Sequence, residues 1–131
     1  MSDKPQTITP YLLYEDVAAA LAWLGRAFGF EETLRHTGPD GAVYHAEAWL
    51  GDGPVYLGYP GEQYKNPRRL GQETVGIYVL VDDVDAHYER ARETGATIVH
   101  PLESPWGLPF YVADDIEGNR WQIAGGRPTM G

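Results

Sequence analysis

The chain has 131 residues, no cysteine, 19 acidic residues against ten lysines and arginines, and a formal charge of −9. The absence of cysteine excludes disulfides, thiolate metal sites and thiol nucleophiles. The basic residues are scattered and form no positive patch for a nucleic acid backbone, and the longest apolar run, residues 17–24, is too short to span a membrane. No apolar signal segment opens the chain, so we expect a cytoplasmic domain with neither nucleic acid nor membrane as a partner.

The first half of the chain predicts the order β-α-β-β-β. A run of β-branched and aromatic residues predicts a strand over residues 8–14. Asp16 is a suitable N-cap for a helix that extends to Phe28, and Gly29 provides the left-handed residue that ends it. Glycine-containing turns separate the strands that follow. Those strands are predicted over residues 31–35, 43–50 and 54–59.

The second half predicts the same order of elements. A strand is predicted over residues 75–81, and Asp83 caps a helix that runs to about Thr94 and stops at Gly95. The three strands after this helix are predicted over residues 97–100, 110–113 and 121–124.

The two halves therefore describe one supersecondary unit used twice. An offset of 67 residues superposes Asp16 on Asp83 and the turn at Gly51 on the turn at Gly118. We expect a single domain made of two tandem βαβββ modules. Module one covers about residues 7–60, a linker covers 61–73, and module two covers about 74–125.

This doubled unit resembles the vicinal oxygen chelate superfamily, which includes glyoxalase I, extradiol dioxygenases and bleomycin-resistance proteins. The resemblance implies an α+β fold in which curved mixed sheets enclose a pocket, with the helices outside. It also implies a homodimer. The residues that carry it are Tyr11-Leu-Leu-Tyr-Glu-Asp-Val17, Arg26-Ala-Phe-Gly-Phe30, Tyr44-His-Ala-Glu47, Val79-Leu-Val-Asp-Asp-Val-Asp85 and Asp115-Ile-Glu-Gly-Asn119.

The resemblance also indicates where a metal would bind. Enzymes of the superfamily hold one divalent ion with His and carboxylate or Gln side chains from both modules. Their first-strand position corresponds to Thr9 and Gly76 here, and their last-strand position corresponds to Val55 and Gln122. These four residues do not provide the three or four donors that hold a catalytic ion. We therefore expect no metal and no cofactor at the usual site.

The histidines offer one other candidate pair. His45 and Glu47 lie two residues apart on the predicted third strand, so they share a face. Two donors are too few for a metal site, and a strand with locally hydrogen-bonded or solvated polar side chains is the favoured interpretation. His87 is consistent with a half-buried packing residue, and His36 and His100 with surface positions. No catalytic residue is assigned.

Strand parity indicates which residues line the pocket. The aliphatic residues of the first and fifth strands must pack under the helices, which leaves Tyr11 and Tyr78 on the pocket side. Gln122 shares that side on the last strand, and Trp106, in a loop, is a candidate lid. The sequence leaves open which face carries His45. The predicted ligand-binding residues are Thr9, Tyr11, Tyr78, His45, Trp106 and Gln122.

The leading hypothesis is a metal-free small-molecule-binding protein, similar to bleomycin-type antibiotic resistance proteins, that sequesters an aromatic or cationic ligand by stacking and cation–π contact. One alternative is a glyoxalase- or dioxygenase-like lyase or isomerase with an atypical metal site. Another is a sensor or scaffold module whose ligand binding regulates a partner protein.

Overall fold

The computed structural model describes residues 6–104 and 107–125. The first βαβββ unit consists of β1 (Tyr11–Leu13), α1 (Val17–Phe28), β2 (Glu31–Thr37), β3 (Val43–Leu50) and β4 (Gly53–Gly58). A short helix α2 (Pro67–Leu70) follows. The second unit consists of β5 (Gly76–Leu80), α3 (Val84–Thr94), β6 (Thr97–Glu103), β7 (Phe110–Asp114) and β8 (Arg120–Ala124).

The helix boundaries match the predicted caps. The Asp16 side chain accepts a hydrogen bond from the Ala19 amide at the start of α1, and Asp83 does the same for α3. Gly29 and Gly95 end the two helices with φ angles of 85° and 91°. Glycine adopts this left-handed region without steric cost.

Three elements differ most from the predictions, and β2 also extends two residues beyond its predicted end, to Thr37. Strand β1 has three residues, because Pro10 lacks an amide hydrogen and the regular ladder begins only after it. Strand β6 extends to Glu103, beyond the predicted end at His100. The predicted linker contains helix α2, which starts at the N-cap Asn66 and has proline in its first turn.

Each module forms its own four-stranded mixed sheet. The strand orders are β1-β4-β3-β2 and β5-β8-β7-β6. In each sheet the first strand pairs in parallel with the last, and the other pairs are antiparallel. The α+β class and the pair of curved mixed sheets are confirmed.

The strand register corrects one predicted correspondence. Tyr11 pairs with Tyr56 in module one, and Tyr78 pairs with Gln122 in module two. Tyr56 is therefore the counterpart of Gln122. The choice of Val55 is wrong, because the turns before β4 and β8 differ by one residue and Val55 points into the core, where it is 2% exposed.

One apolar core lies between the two modules. Helices α1 and α3 pack against each other on the side of the sheets that faces this core. Phe28 and Phe30 from module one place their rings edge-on against Trp121 of module two, with centroids 5.4 and 5.5 Å apart. Trp121 is fully buried, so its contacts with both phenylalanines tie the modules together.

A buried carboxylate adds a polar connection between the modules. Asp115 accepts hydrogen bonds from the Tyr14 hydroxyl at 2.6 Å and from the Trp121 indole at 3.1 Å. Burial raises the pKa of Asp115, against the opposing effect of these hydrogen bonds. Burial also raises the pKa of Tyr14. Glu117, two residues on, accepts from the amides that precede α1.

Within residues 6–104 and 107–125, no helix combines the length and the apolar composition that crossing a membrane requires.

Candidate functional site

Each sheet has an outward face on the side opposite the helices. The alternation along the first strand of each sheet places Leu12 and Ile77 toward the core and Tyr11 and Tyr78 outward. Tyr11 is 52% exposed and Tyr78 is 55% exposed. We call these surfaces the outward faces of module one and module two.

Three side chains form a hydrogen-bonded chain on the outward face of module one. The Tyr11 hydroxyl lies 2.9 Å from His45 Nδ1. The other ring nitrogen of His45, Nε2, lies 3.0 Å from Glu47 Oε2. The His45 and Glu47 side chains are 17% and 26% exposed, so water reaches this hydrogen-bonded group mainly at Tyr11. We call this group the Tyr11–His45–Glu47 relay.

A glycine on the intervening strand makes the relay possible. Strand β4 lies between β1 and β3, and Gly58 pairs with Leu13 on one side and with His45 on the other. Because Gly58 has no side chain, the Tyr11 ring lies across it and reaches His45. A Cβ at Gly58 would lie 2.6 Å from the Tyr11 hydroxyl oxygen and would also overlap the ring.

Aromatic rings surround the relay. Tyr56 contacts the rings of Tyr11 and His45 edge-on, with centroid distances of 6.1 and 5.7 Å. His36, paired with His45 across the β2–β3 ladder, lies 5.6 Å from it and stacks on Tyr44. The outward face of module one therefore combines π-systems with a carboxylate and a hydroxyl group.

The outward face of module two has different side chains at the same positions. Its ladder pairs Tyr78 with Gln122, and Gln122 with Val112. Two residues further along these strands, Leu80 pairs with Ala124, and Ala124 pairs with Phe110. The register therefore makes Phe110 the counterpart of His45, Val112 that of Glu47 and Ala124 that of Gly58.

A model of the glyoxalase/bleomycin resistance protein/dioxygenase superfamily matches residues 7–123. The chain belongs to this superfamily. It is 35% identical over 128 residues to an uncharacterized protein of Mycobacterium bovis, with 93% of this chain and 83% of the relative covered. An uncharacterized protein of Mycobacterium tuberculosis shares the same identity, with 74% of its length covered.

Several solved structures share the fold. TioX from Micromonospora sp. ML1 is 36% identical, with a TM-score of 0.76, and the match covers 92% of this chain and 98% of TioX. A superfamily member from Sphaerobacter thermophilus is 24% identical, with a TM-score of 0.70 and coverages of 92% and 97%. The fosfomycin resistance protein FosX from Mesorhizobium loti is 15% identical, with a TM-score of 0.67 and coverages of 97% and 95%.

The donors on the outward faces do not form a cluster suited to a metal ion. Among the residues that the structure describes, no group of three His, Asp or Glu side chains is close enough to hold one. Both ring nitrogens of His45 already have partners, so a metal would have to displace Tyr11 or Glu47. The last-strand positions carry Tyr56 and Gln122, which are weak ligands for a divalent ion.

The predicted site residues fall into separate groups. Tyr11 and His45 lie together in the relay, and Tyr78 and Gln122 are neighbours on the other sheet. Thr9 precedes β1 and is partly exposed. Trp106 lies outside the described residues.

Sequence reasoning missed Tyr56 and Gly58. The signal for Tyr56 is the alternation Val55–Tyr56–Leu57, in which the tyrosine alone faces outward. The signal for Gly58 is a small residue at the end of a strand, where the two flanking strands carry large polar side chains. That signal becomes specific only when the pairing of β1, β4 and β3 is known.

A polar groove of about 340 Å³ lies elsewhere, where the segment around α2 meets the second sheet. Its lining includes Arg68, Arg120 and Asp114. The Arg120 guanidinium is paired with Asp114 at 2.9 Å and with Glu73 at 2.8 Å, so its charge is compensated. The groove offers few apolar side chains for an aromatic ligand.

Proposed function

We propose that this protein binds and sequesters a small aromatic or cationic molecule without a metal or another cofactor, in the manner of bleomycin-type antibiotic resistance proteins. The observation that carries the proposal is the outward face of module one. There, aromatic rings surround a hydroxyl group and a carboxylate that are held in fixed positions. Rings that remain in water gain no free energy from burial, and a contiguous exposed patch of this kind is typical of a binding surface.

The chemistry of the face favours a flat ligand. The rings of Tyr11, Tyr56 and His36 offer stacking and edge contacts, each worth about 0.5–1.5 kcal/mol. Glu47 adds a negative charge beside these rings, and a cation gains from both the carboxylate and the ring faces. The formal charge of −9 for the whole chain acts in the same direction over longer distances.

We further propose a homodimer in which a second copy covers the outward faces. Leu13 and Leu80 are 39% and 40% exposed on these faces, beside Tyr11 and Tyr78. An open sheet face gives a small molecule a wall on one side, whereas binding pockets normally bury most of the ligand surface. A symmetric dimer that brings module one of one copy against module two of the other would enclose it. Light scattering at micromolar concentration should give the mass of a dimer, and a monomer contradicts this arrangement.

Titration calorimetry against glycopeptide and aromatic antibiotics tests the binding proposal. We expect saturable binding by at least one aromatic compound, weakened tenfold or more by Tyr11→Ala. The matched control is Leu70→Ala, which removes an exposed apolar side chain from α2 and should leave the affinity unchanged. No binding across the set, or equal losses in both variants, contradicts the proposal.

The competing enzymatic function is a glyoxalase- or dioxygenase-like lyase or isomerase with an atypical metal site, for which His45 and Glu47 are the candidate ligands. The hydrogen bonds at both His45 nitrogens count against it. It would be established by stoichiometric metal in protein purified without chelators, with the metal lost in His45→Ala.

A further inference from the structure

We propose that the Tyr11–His45–Glu47 relay selects the ligand by holding the Tyr11 oxygen as a hydrogen-bond acceptor, so that this face prefers aromatic molecules carrying an O–H or N–H donor. The inference rests on the proposed binding function. It adds that the ligand must present a hydrogen-bond donor and not an acceptor.

The acceptor role of the Tyr11 oxygen follows from counting the hydrogens along the relay. An ionised carboxylate accepts hydrogen bonds and donates none, so Glu47 requires the hydrogen of a neutral His45 to be on Nε2. Nδ1 is then an acceptor, and the partner that lies 2.9 Å away is the Tyr11 hydroxyl. Tyr11 has one hydroxyl hydrogen, which it donates to His45. Its exposed oxygen keeps its lone pairs and is available to the ligand only as an acceptor.

The relay is fixed in place by the sheet and not by a loop. Tyr11 and the pair His45 and Glu47 are on β-strands whose spacing is set by the ladder through β4. The Tyr11 ring lies across Gly58 and meets the edge of Tyr56, and these contacts limit its rotation. Such preorganisation lowers the entropic cost of presenting the acceptor to a ligand.

The test compares two probes that differ in one donor. Binding of 2-naphthol and 2-methoxynaphthalene is measured by fluorescence titration at pH 8 for the wild type, Tyr11→Phe and Glu47→Gln. We expect the wild type to prefer 2-naphthol by about tenfold, the size of one hydrogen bond. Tyr11→Phe should abolish the preference. Glu47→Gln should reduce it, because an amide can also donate to Nε2 and so permits the opposite tautomer of His45.

The tautomer is measured in the free protein by ¹⁵N NMR of the His45 ring. We expect Nε2–H at pH 8 in the wild type and a mixture in Glu47→Gln. An Nδ1–H tautomer in the wild type overturns the inference, as does an equal preference in the wild type and Tyr11→Phe. If the wild type binds both probes equally, the selection fails while the binding function stands. If neither probe binds, the selection fails, and the calorimetric titrations with antibiotics decide the binding function separately.

Discussion

The outward faces of modules one and two are built on the same strand order and present different chemistry. In module one, Tyr11 crosses Gly58 to reach His45, which is held by Glu47. In module two, a methyl group occupies the place of the glycine, and an aromatic and an aliphatic side chain replace the imidazole and the carboxylate. The module-two counterparts are Tyr78 for Tyr11, Ala124 for Gly58, Phe110 for His45 and Val112 for Glu47.

This difference shows which part of a repeated unit is constrained by folding. The caps, the helix-ending glycines and the inward side chains must serve the shared core in both modules, so they are repeated. Outward side chains do not pack into that core, so they can differ in polarity between the two modules. The divergence of the outward positions is the reason to place the binding chemistry there.

The largest expected effect tests whether inward side chains contribute more to the free energy of unfolding than outward side chains do. Trp121→Ala removes a fully buried ring that contacts Phe28 and Phe30, and should lower the free energy of unfolding by about 3–5 kcal/mol. Tyr78→Ala, on the outward face, should change it by about 0.5 kcal/mol or less in the isolated chain. Urea denaturation monitored by circular dichroism measures both. Similar losses in the two variants would break the distinction.

The next effect concerns the polar connection between the modules. Tyr14→Phe leaves Asp115 with one fewer donor in a buried site, and should lower the free energy of unfolding by about 1–3 kcal/mol. Tyr59→Phe, at an exposed tyrosine, is the control and should be close to neutral. A neutral Tyr14→Phe would mean that the 2.6 Å hydrogen bond does not hold the modules together.

A pair of glycine substitutions tests whether binding depends on the space that Gly58 leaves for the Tyr11 ring. In Gly58→Ala the new methyl group overlaps the Tyr11 ring, so the hydroxyl must leave His45 and aromatic binding should weaken by about tenfold. Gly76→Ala is the matched control, because a Cβ there meets nothing within 4 Å. Fluorescence titration with 2-naphthol measures both variants. Unchanged affinity in Gly58→Ala would show that binding does not depend on the position of Tyr11.

The smallest expected effect is a pH dependence of stability that arises from a core residue, His87, and not from either outward face. Burial lowers the pKa of His87 from 6.5, and the side chain bonds to the Phe28 carbonyl and the Tyr111 hydroxyl. The unfolded state then binds a proton at a higher pH than the folded state does. Stability is therefore complete above pH 6.5 and falls as the pH drops through the folded-state pKa of His87. Urea denaturation from pH 5 to 8 should show this loss in the wild type and in the exposed-site variant His100→Gln, and a smaller loss in His87→Gln.

Much of the fold was predictable because its signals are local. Asp16 and Asp83 mark helix starts, Gly29 and Gly95 mark helix ends, and alternation marks the strands. Helix α2 was missed because four residues give no periodicity.

The relay was beyond local reasoning. His45 and Glu47 are two residues apart, and their shared face is evident, but Tyr11 joins them only through the parallel pairing of β1 with β4. That pairing depends on the closure of the whole module. The role of Gly58 depends on the same pairing. A glycine at the end of a strand shows no particular role until its neighbours across the sheet are known.

The proposal that the outward face of module one binds the ligand is tested most directly by an NMR titration of the ¹⁵N-labelled protein with 2-naphthol. We expect the largest chemical-shift changes at Tyr11, His45, Glu47 and Tyr56. Shifts confined to the groove lined by Arg68 and Arg120, or no shifts at all, would contradict it.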